Sequence, residues 1–235
     1  MMQRVEVAWS KMPKGAFGQS GDSIELVERP LGGLTLILAD GQGSGPAARR
    51  ISRMVAMRAV QLIADGSRDG AVARAVQDML YTAREGRVTA TLALLSVDWH
   101  TRTLVIARNA PSPVLVRQED HVFRLEGGAE VIGTYRKTRP AITELTATKE
   151  SLLLTCSDGL LQAGRRYGTV FSWEPWEARF LATPAAEVGQ LVEDLMDHAL
   201  DLERGRPNDD ISIMALGLKG EDESARRSLV ASIPY

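Results

Sequence analysis

Short, uninterrupted runs of apolar residues limit the folds that are open to this chain. Leu34–Ala39 (LTLILA) is the clearest run, and Ser151–Thr155 and Ile211–Leu216 are similar in length. Such runs are typical of β-strands that are covered on both faces, although a short run alone does not exclude a buried helix. With 235 residues, the chain can bury a core large enough to provide this cover. The sequence therefore predicts buried strands at these three places.

Three amphipathic stretches predict helices. Pro46–Asp65 and the segment 71–83 carry apolar residues at intervals of three and four, and the segment 188–199 repeats this pattern. Ser44 is a plausible N-cap of the first helix, and Gly66 is a plausible stop. Two helices therefore precede the middle of the chain and one follows it.

The middle of the chain has a different period, with short β-rich segments separated by turn residues. These segments predict an antiparallel meander of Thr89–Asp98, Thr103–Arg108, Val114–Arg117 and His121–Leu125. Val5–Trp9 and Ser23–Val27 are further strand candidates. Arg165–Arg179 has weak periodicity and is interpreted as an insertion over the core. The order of elements favours an α+β fold with a largely antiparallel sheet.

Composition narrows the class of protein. The formal net charge is −2, which gives no electrostatic reason to expect nucleic acid or an anionic membrane as a partner. The single cysteine, Cys156, excludes an internal disulfide and is expected in a reducing compartment. No apolar run reaches the roughly 20 residues that span a bilayer, and the N-terminus does not resemble a signal peptide. We therefore expect a cytoplasmic, soluble protein formed by one domain, 1–235, with a flexible tail at 219–235.

Aspartates stand beside the three apolar runs. Asp40 and Asp158 each follow a run and precede a glycine, and Asp209 and Asp210 precede Ile211. If the strands are neighbours, these carboxylates converge and repel one another unless a cation neutralises them. A purely oxygen ligand set selects Mg²⁺ or Mn²⁺ over zinc. An Asp-Gly pair is most often only a turn, so the spacing leaves both a metal site and simple turns open.

Other catalytic motifs are missing from the sequence. The glycines at positions 41, 43 and 45 do not form a dinucleotide fingerprint, and no Walker A lysine follows them. Cys156 lacks the arginine that a cysteine phosphatase loop places six residues later, because Gln162 occupies that position. The three histidines are scattered, and there is no G-x-S-x-G elbow. Nucleotide binding and nucleophilic catalysis are therefore not predicted.

Five short motifs together resemble the bacterial branch of the type 2C (PPM) metal-dependent serine/threonine phosphatases. They occur in the family's order along nearly the whole chain: Gly21-Asp22, Asp40-Gly41 with Gly43–Gly45, Thr89–Leu92, Ser157–Gly159 and Asn208–Ser212. The glycine loop is similar to that of stage II sporulation protein E domains and of small stressosome feedback phosphatases of the RsbX type. The resemblance implies a four-layer αββα sandwich of two antiparallel sheets flanked by helices.

The same resemblance implies roles for individual residues. Asp40 would bridge two Mn²⁺ or Mg²⁺ ions, and the carbonyl of Gly41 would bind one of them. Asp158 and Asp209 would complete the first ion's site, and Asp22 would hold the second ion. Asp40, Asp158 and Asp209 would thus be the catalytic residues, with Asp210 in a supporting role. A metal-activated water would remove phosphate from serine or threonine on a regulatory partner, expected to be a phosphorylated STAS-domain protein.

Two positions depart from the family pattern. Many relatives place a histidine, as a proposed general acid, where this chain has Gln42. Many also have an N-terminal arginine that grips phosphate, for which Lys11 and Lys14 are the candidates here. A phosphoprotein-binding pseudophosphatase and a hydrolase of small phosphoesters are kept as alternatives to the active protein phosphatase.

Overall fold

The computed structural model describes residues 2–16, 18–222, 228 and 229. Within them the chain forms ten strands and five α-helices. The strands are β1 (Met2–Met12), β2 (Asp22–Glu28), β3 (Gly33–Gly41), β4 (Ala90–Asp98), β5 (Thr103–Asn109), β6 (Val114–Gln118), β7 (His121–Leu125), β8 (Ala141–Thr146), β9 (Leu152–Cys156) and β10 (Ile211–Asp222). The helices are α1 (Gly45–Ala64), α2 (Asp69–Arg84), α3 (Asp158–Gln162), α4 (Glu174–Ala182) and α5 (Val188–Leu202).

Two five-stranded antiparallel sheets form the centre of the fold. Sheet A has the order β1-β10-β9-β6-β7, and sheet B has the order β2-β3-β4-β5-β8. Helices α1 and α2 pack on sheet B, whereas α4 and α5 pack on sheet A. The predicted α+β sandwich of two antiparallel sheets flanked by helices is therefore confirmed.

Three apolar cores separate the four layers. The central core joins the sheets and includes Leu36, Leu95 and Leu216, which are completely buried. A second core lies between sheet B and helices α1 and α2, and a third lies between sheet A and helices α4 and α5. Every central strand is thus covered on both faces, which explains the uninterrupted apolar runs of β3, β9 and β10.

Both long helices on sheet B end close to the predicted boundaries. Ser44 is the N-cap of α1, but its side chain makes no capping hydrogen bond. Gly66 follows the helix with a φ of +85°, and its N–H donates to the carbonyl of Ile63. Glycine adopts this left-handed conformation without steric penalty, so the predicted stop is confirmed.

Three interpretations of the middle and end of the chain need correction. The predicted meander is divided between the sheets, because β4 and β5 lie in sheet B and β6 and β7 in sheet A. The edge strand β8 was not predicted, because its alternating exposed and half-buried positions give it a weak apolar signal. The segment 165–179 contains most of α4 and buries Phe171, Trp173 and Trp176 in the core against sheet A. It is therefore part of that core.

The C-terminal strand is longer than the sequence suggests. Strand β10 continues to Asp222, so the first four residues of the predicted tail 219–235 belong to it. Of the rest of that tail, only residues 228 and 229 are among those described. None of the helices in the described ranges is both long enough and apolar enough to cross a membrane.

Candidate metal centre

Sheet B places two aspartates opposite each other. In the antiparallel pairing of β2 with β3, Asp22 is the cross-strand partner of Asp40. Directly opposed residues on neighbouring strands project on the same face of the sheet, with their Cβ atoms about 5 Å apart. The pairing of β3 with β4 then sets Thr91 beside Asp40. The register of sheet B therefore brings two acidic side chains together without help from a loop.

Sheet A supplies the other two predicted aspartates. Asp158 is the first residue of α3, two residues after β9 ends, and Asp209 lies two residues before β10 begins. Because β9 and β10 are antiparallel neighbours, with Cys156 paired to Ile213, these two ends lie at the same edge of the sheet. The Oδ2 of Asp158 accepts a hydrogen bond of 2.6 Å from the Nε2 of Gln162.

One cavity collects the aspartates of both sheets. It has a volume of about 370 Å³, and its walls include Asp22, Asp40, Gly41, Asp158 and Asp209. All five predicted metal ligands therefore line a single cavity at one end of the sandwich. The sequence did not single out Pro111 and Ser112, which also line it and lie where the chain crosses from sheet B to sheet A. No local motif marks that crossing.

The two Asp-Gly pairs are not turns. Asp40 and Gly41 end β3, and a Cβ on Gly41 would lie 2.2 Å from the carbonyl oxygen of Ala48 in α1. A Cβ on Gly159 would lie 2.1 Å from the carbonyl oxygen of Asp210. Both distances are far shorter than van der Waals contact, so only glycine allows α1 and α3 to pack so closely beside the aspartates. The turn alternative is thus excluded by the structure.

Burial and mutual repulsion raise the pKa values of the clustered carboxyl groups. Burial is the main cause for Asp40, followed by the charges of Asp22 and Asp158, and together they raise its pKa to about 9. Burial and the nearby Asp210 raise the pKa of Asp22 to about 6. Burial and Asp209 raise the pKa of Asp158. The cluster therefore favours protons or cations that reduce its negative charge.

Asp210 holds the N-terminal loop that leads to Asp22. Its Oδ1 accepts a hydrogen bond from the backbone N–H of Lys14, and its Oδ2 accepts one from the backbone N–H of Gly21, both at 2.9 Å. Asp210 is only 5% exposed. Gly21 directly precedes Asp22, so the Asp210 carboxylate fixes the backbone that positions the Asp22 side chain. This contact gives a physical basis for the supporting role implied by the resemblance.

Replacing Asp210 with alanine is expected to raise the Mn²⁺ concentration needed for half-maximal activation by roughly 10–100-fold. The substitution leaves the N–H groups of Lys14 and Gly21 without their acceptor and so loosens Asp22. Activity measured against Mn²⁺ concentration tests this. Asp197→Asn, on the exposed side of α5, is the control. An unchanged activation curve in Asp210→Ala would contradict the positioning role.

The structure separates the two lysines that were candidates for gripping phosphate. The Nζ of Lys11 donates a 2.7 Å hydrogen bond to the carbonyl oxygen of Asp22, and burial lowers its pKa. Lys14 is exposed and lines the cavity. Lys11 is thus tied to the backbone behind the site, whereas Lys14 is available to an incoming anion.

Gln42 is held at the cavity wall by Thr89. Its backbone N–H donates to the carbonyl of Thr89, and its side-chain Oε1 accepts from the Thr89 N–H, both at 3.0 Å. With Oε1 engaged in this way, the Nε2 end of the amide is the part that can donate to a ligand in the cavity. Gln42 can therefore donate a hydrogen bond to an oxygen atom of a ligand, but it cannot release a proton to that ligand.

The donor set fits hard divalent cations. The side-chain donors are carboxylates, and the Oδ2 of Asp22 is buried without a hydrogen-bond partner among the described residues. Within the same residues, no group of three acidic, histidine or cysteine side chains is arranged to hold one ion. Mg²⁺ usually takes only one or two carboxylates and keeps several waters. Two of these aspartates, together with a backbone carbonyl and water molecules, would supply a ligand set of the kind that Mg²⁺ prefers.

Comparison with solved structures shows where this fold occurs. The PP2C phosphatase domain of SpoIIE from Bacillus subtilis, with a fragment of its regulatory domain, matches with a TM-score of 0.76 and 17% identity; the match covers 94% of this chain and 64% of that one. RsbX in complex with magnesium matches with a TM-score of 0.67 and 17% identity, covering 93% of this chain and 100% of that one. The catalytic domain of the phosphatase PstP in complex with two manganese ions matches with a TM-score of 0.70, at the same identity and coverage.

Sequence comparison identifies the family. No curated protein sequence matches the chain. The family model described as stage II sporulation protein E (SpoIIE) matches residues 30–219. The predicted resemblance to bacterial type 2C phosphatases is therefore confirmed. Because the matched segment covers most of the sequence and contains both sheets' central strands, the chain belongs to the SpoIIE family of PP2C-type phosphatase domains.

Proposed function

We propose that this protein is a metal-dependent phosphatase that hydrolyses phosphoserine or phosphothreonine on a regulatory partner protein. The observation that carries the proposal is the convergence of Asp22, Asp40, Asp158 and Asp209 from two sheets on one cavity. Membership of a phosphatase family and the metal-bound neighbours support it. We further propose a STAS-domain protein as the substrate class, on the likeness to RsbX, and a cytoplasmic location.

Each aspartate has a proposed role in holding metal. Burial raises the pKa of Asp40 most, and the charges of Asp22 and Asp158 add to it, so Asp40 interacts with acids of both sheets and would help to hold both Mn²⁺ or Mg²⁺ ions. Asp158, Asp209 and the Gly41 carbonyl would complete one ion's site, and Asp22 would serve the other. When bound, the ions supply positive charge for the phosphoryl oxygens and lower the pKa of a coordinated water.

Other groups of the chain would orient the substrate. Lys14 places a cation at the cavity, where it would attract the phosphate group. Gln42 would donate a hydrogen bond to a phosphoryl or leaving-group oxygen through its Nε2. Since a glutamine amide does not release a proton at neutral pH, solvent or another residue would protonate the departing serine or threonine oxygen. Cys156 is completely buried and burial raises its pKa, so it would take no part as a nucleophile.

Metal removal tests the proposal directly. We expect excess EDTA to abolish hydrolysis of p-nitrophenyl phosphate and of a phosphoserine protein, and Mn²⁺ to restore both activities. The carboxylates alone repel the substrate phosphate, because they carry the same sign of charge. Full activity in excess chelator would refute the metal mechanism. Tight binding of a phosphoserine protein without turnover in Mn²⁺ would instead favour a pseudophosphatase, and turnover of phosphometabolites alone would exclude protein as substrate.

A further inference from the structure

A second cavity lies outside the candidate metal centre, between α2 and residues 136–139. Its volume is about 610 Å³. It shares no wall residue with the aspartate cavity among the described residues. The two cavities are close to each other along the sequence. Val131 lines the aspartate cavity, and Arg136, five residues later, lines the second cavity. We call this second cavity the α2 cleft.

The walls of the α2 cleft are strongly cationic. Four cationic residues line it: Arg74, Arg136, Lys137 and Arg139. Among the described residues that line the cleft, Asp78 is the only one with a carboxylate. Four cations against one carboxylate leave an excess of three positive charges, although the whole chain has a net charge of −2. A cleft with a single dominant sign of charge concentrates ligands of the opposite sign.

Among the residues that the structure describes, none of the cleft's cationic side chains forms an ion pair. Arg87, Arg124 and Arg179, by contrast, are each paired with a carboxylate. The guanidinium groups of the cleft therefore keep their planar pairs of donors available for an oxyanion.

A buried hydroxyl is a further feature of the cleft wall. Thr138 lines the α2 cleft and is only 4% exposed. Its Oγ1 is buried and has no hydrogen-bond partner among the described residues. Buried polar atoms are nearly always satisfied, so the wall of the cleft contains a hydroxyl that lacks an acceptor among the described residues.

Two buried amides hold the cleft in a fixed shape. The side chain of Gln77, on α2, accepts from the N–H of Gly133 at 2.7 Å and donates to the carbonyl of Tyr135. The Nδ2 of Asn109 donates to the carbonyls of Glu130 and Arg139, at 2.9 and 3.4 Å. The backbone that carries the cations is therefore anchored before a ligand arrives, which lowers the entropy lost on binding.

We propose that the α2 cleft is a second anion-binding site, which takes a phosphate-type oxyanion on Arg136, Arg139 and the Thr138 hydroxyl. Arginine binds phosphate through two parallel N–H donors, and the Thr138 hydroxyl would donate one further hydrogen bond once its side chain turns toward the ligand. This site does not depend on the proposed phosphatase activity. Its ligand is either a free phosphate compound or a phosphate group carried on a protein, and the same chemistry recognises both.

Binding of pyrophosphate to the whole chain, stripped of divalent ions with EDTA and then dialysed free of the chelator, tests the proposal. Without divalent ions the metal centre is acidic and repels the probe, so calorimetry and amide chemical shifts report the α2 cleft. We expect the double variant Arg136→Ala/Arg139→Ala to weaken binding by roughly tenfold or more. The control Arg50→Ala/Arg53→Ala removes the same charge from exposed positions on α1 and should leave binding nearly unchanged.

Thr138→Val separates the hydroxyl from the general charge of the cleft. Valine has the same shape, so we expect unchanged thermal stability with affinity for pyrophosphate reduced several-fold, because a hydrogen bond to a charged group is lost. Chemical-shift changes should centre on residues 133–140. Absence of pyrophosphate binding together with absence of binding by a phosphoserine peptide would overturn the proposal. An equal loss of affinity in the cleft variant and the α1 control would also overturn it.

Comparison of probes identifies the source of the anion. Binding of pyrophosphate and of a phosphoserine peptide with similar affinity would show that the cleft takes free phosphate compounds. Binding of the phosphopeptide alone, with no binding of its unphosphorylated form, would assign the cleft to a phosphate carried on a protein. Both results support the site, provided that the Arg136→Ala/Arg139→Ala variant loses the interaction.

Discussion

We expect the Asp40→Asn variant to hydrolyse a phosphoserine protein in Mn²⁺ about 10³-fold more slowly than the unchanged protein does. Removal of a main electrostatic group from an active site causes a loss of this size. Asparagine has nearly the same shape as aspartate but no charge. Asp40 is opposite Asp22 in the register of β2 and β3, and it interacts with Asp158 and Asp209 from the other sheet. The substitution therefore removes a carboxylate that interacts with acidic groups of both sheets at the candidate metal centre.

Stability measurements distinguish this loss from misfolding. Since Asp40 is buried among like charges, we expect Asp40→Asn to be at least as stable as the unchanged protein in EDTA. Urea denaturation followed by circular dichroism gives that comparison. Asp197→Asn, on the exposed face of α5, should retain full activity and stability. Near-normal activity of Asp40→Asn at saturating Mn²⁺ would rule out the bridging role.

Strand positions were predictable from the sequence because their physical cause is local. The apolar runs of β3, β9 and β10 mark strands covered on both faces, and the structure covers each of them with a helix layer and the opposite sheet. The weakly apolar edge strand β8 carried no such signal. The assignment of β6 to sheet A was equally hidden, because it depends on pairing with β9, about forty residues away in sequence.

In the candidate site too, the residues marked by local motifs could be predicted from the sequence, whereas the contacts between distant segments could not. Asp40, Asp158 and Asp209 were found beside apolar runs and Asp22 from the resemblance to a family, and the structure places all four on one cavity. The support given by Asp210 to the N–H groups of Lys14 and Gly21 joins residues nearly two hundred positions apart. The α2 cleft likewise depends on contacts between α2 and residues 133–140 that no single segment reveals.

The metal-free protein is expected to lose stability as the pH rises from about 6 to 9. In the folded state the pKa of Asp40 is raised to about 9, whereas an unfolded aspartate titrates near 4. Between these values the folded state holds a proton that the unfolded chain has released, so rising pH favours unfolding. Each such proton contributes up to about 1.4 kcal/mol per pH unit. We therefore expect a decrease of about 2–4 kcal/mol in the free energy of unfolding over this range.

Urea denaturation at several pH values in EDTA measures this slope, and two comparisons identify its cause. Asp40→Asn cannot titrate at this position, so its stability should change much less between pH 6 and 9. Saturating Mn²⁺ should reverse the sign, because carboxylates bind metal in their deprotonated form and binding strengthens as the pH rises. If Asp40→Asn kept the full slope, the proton would reside on another group. If Mn²⁺ left the slope unchanged, the ions would not bind at the aspartate cluster, and the crowding of these four carboxylates would require a different explanation.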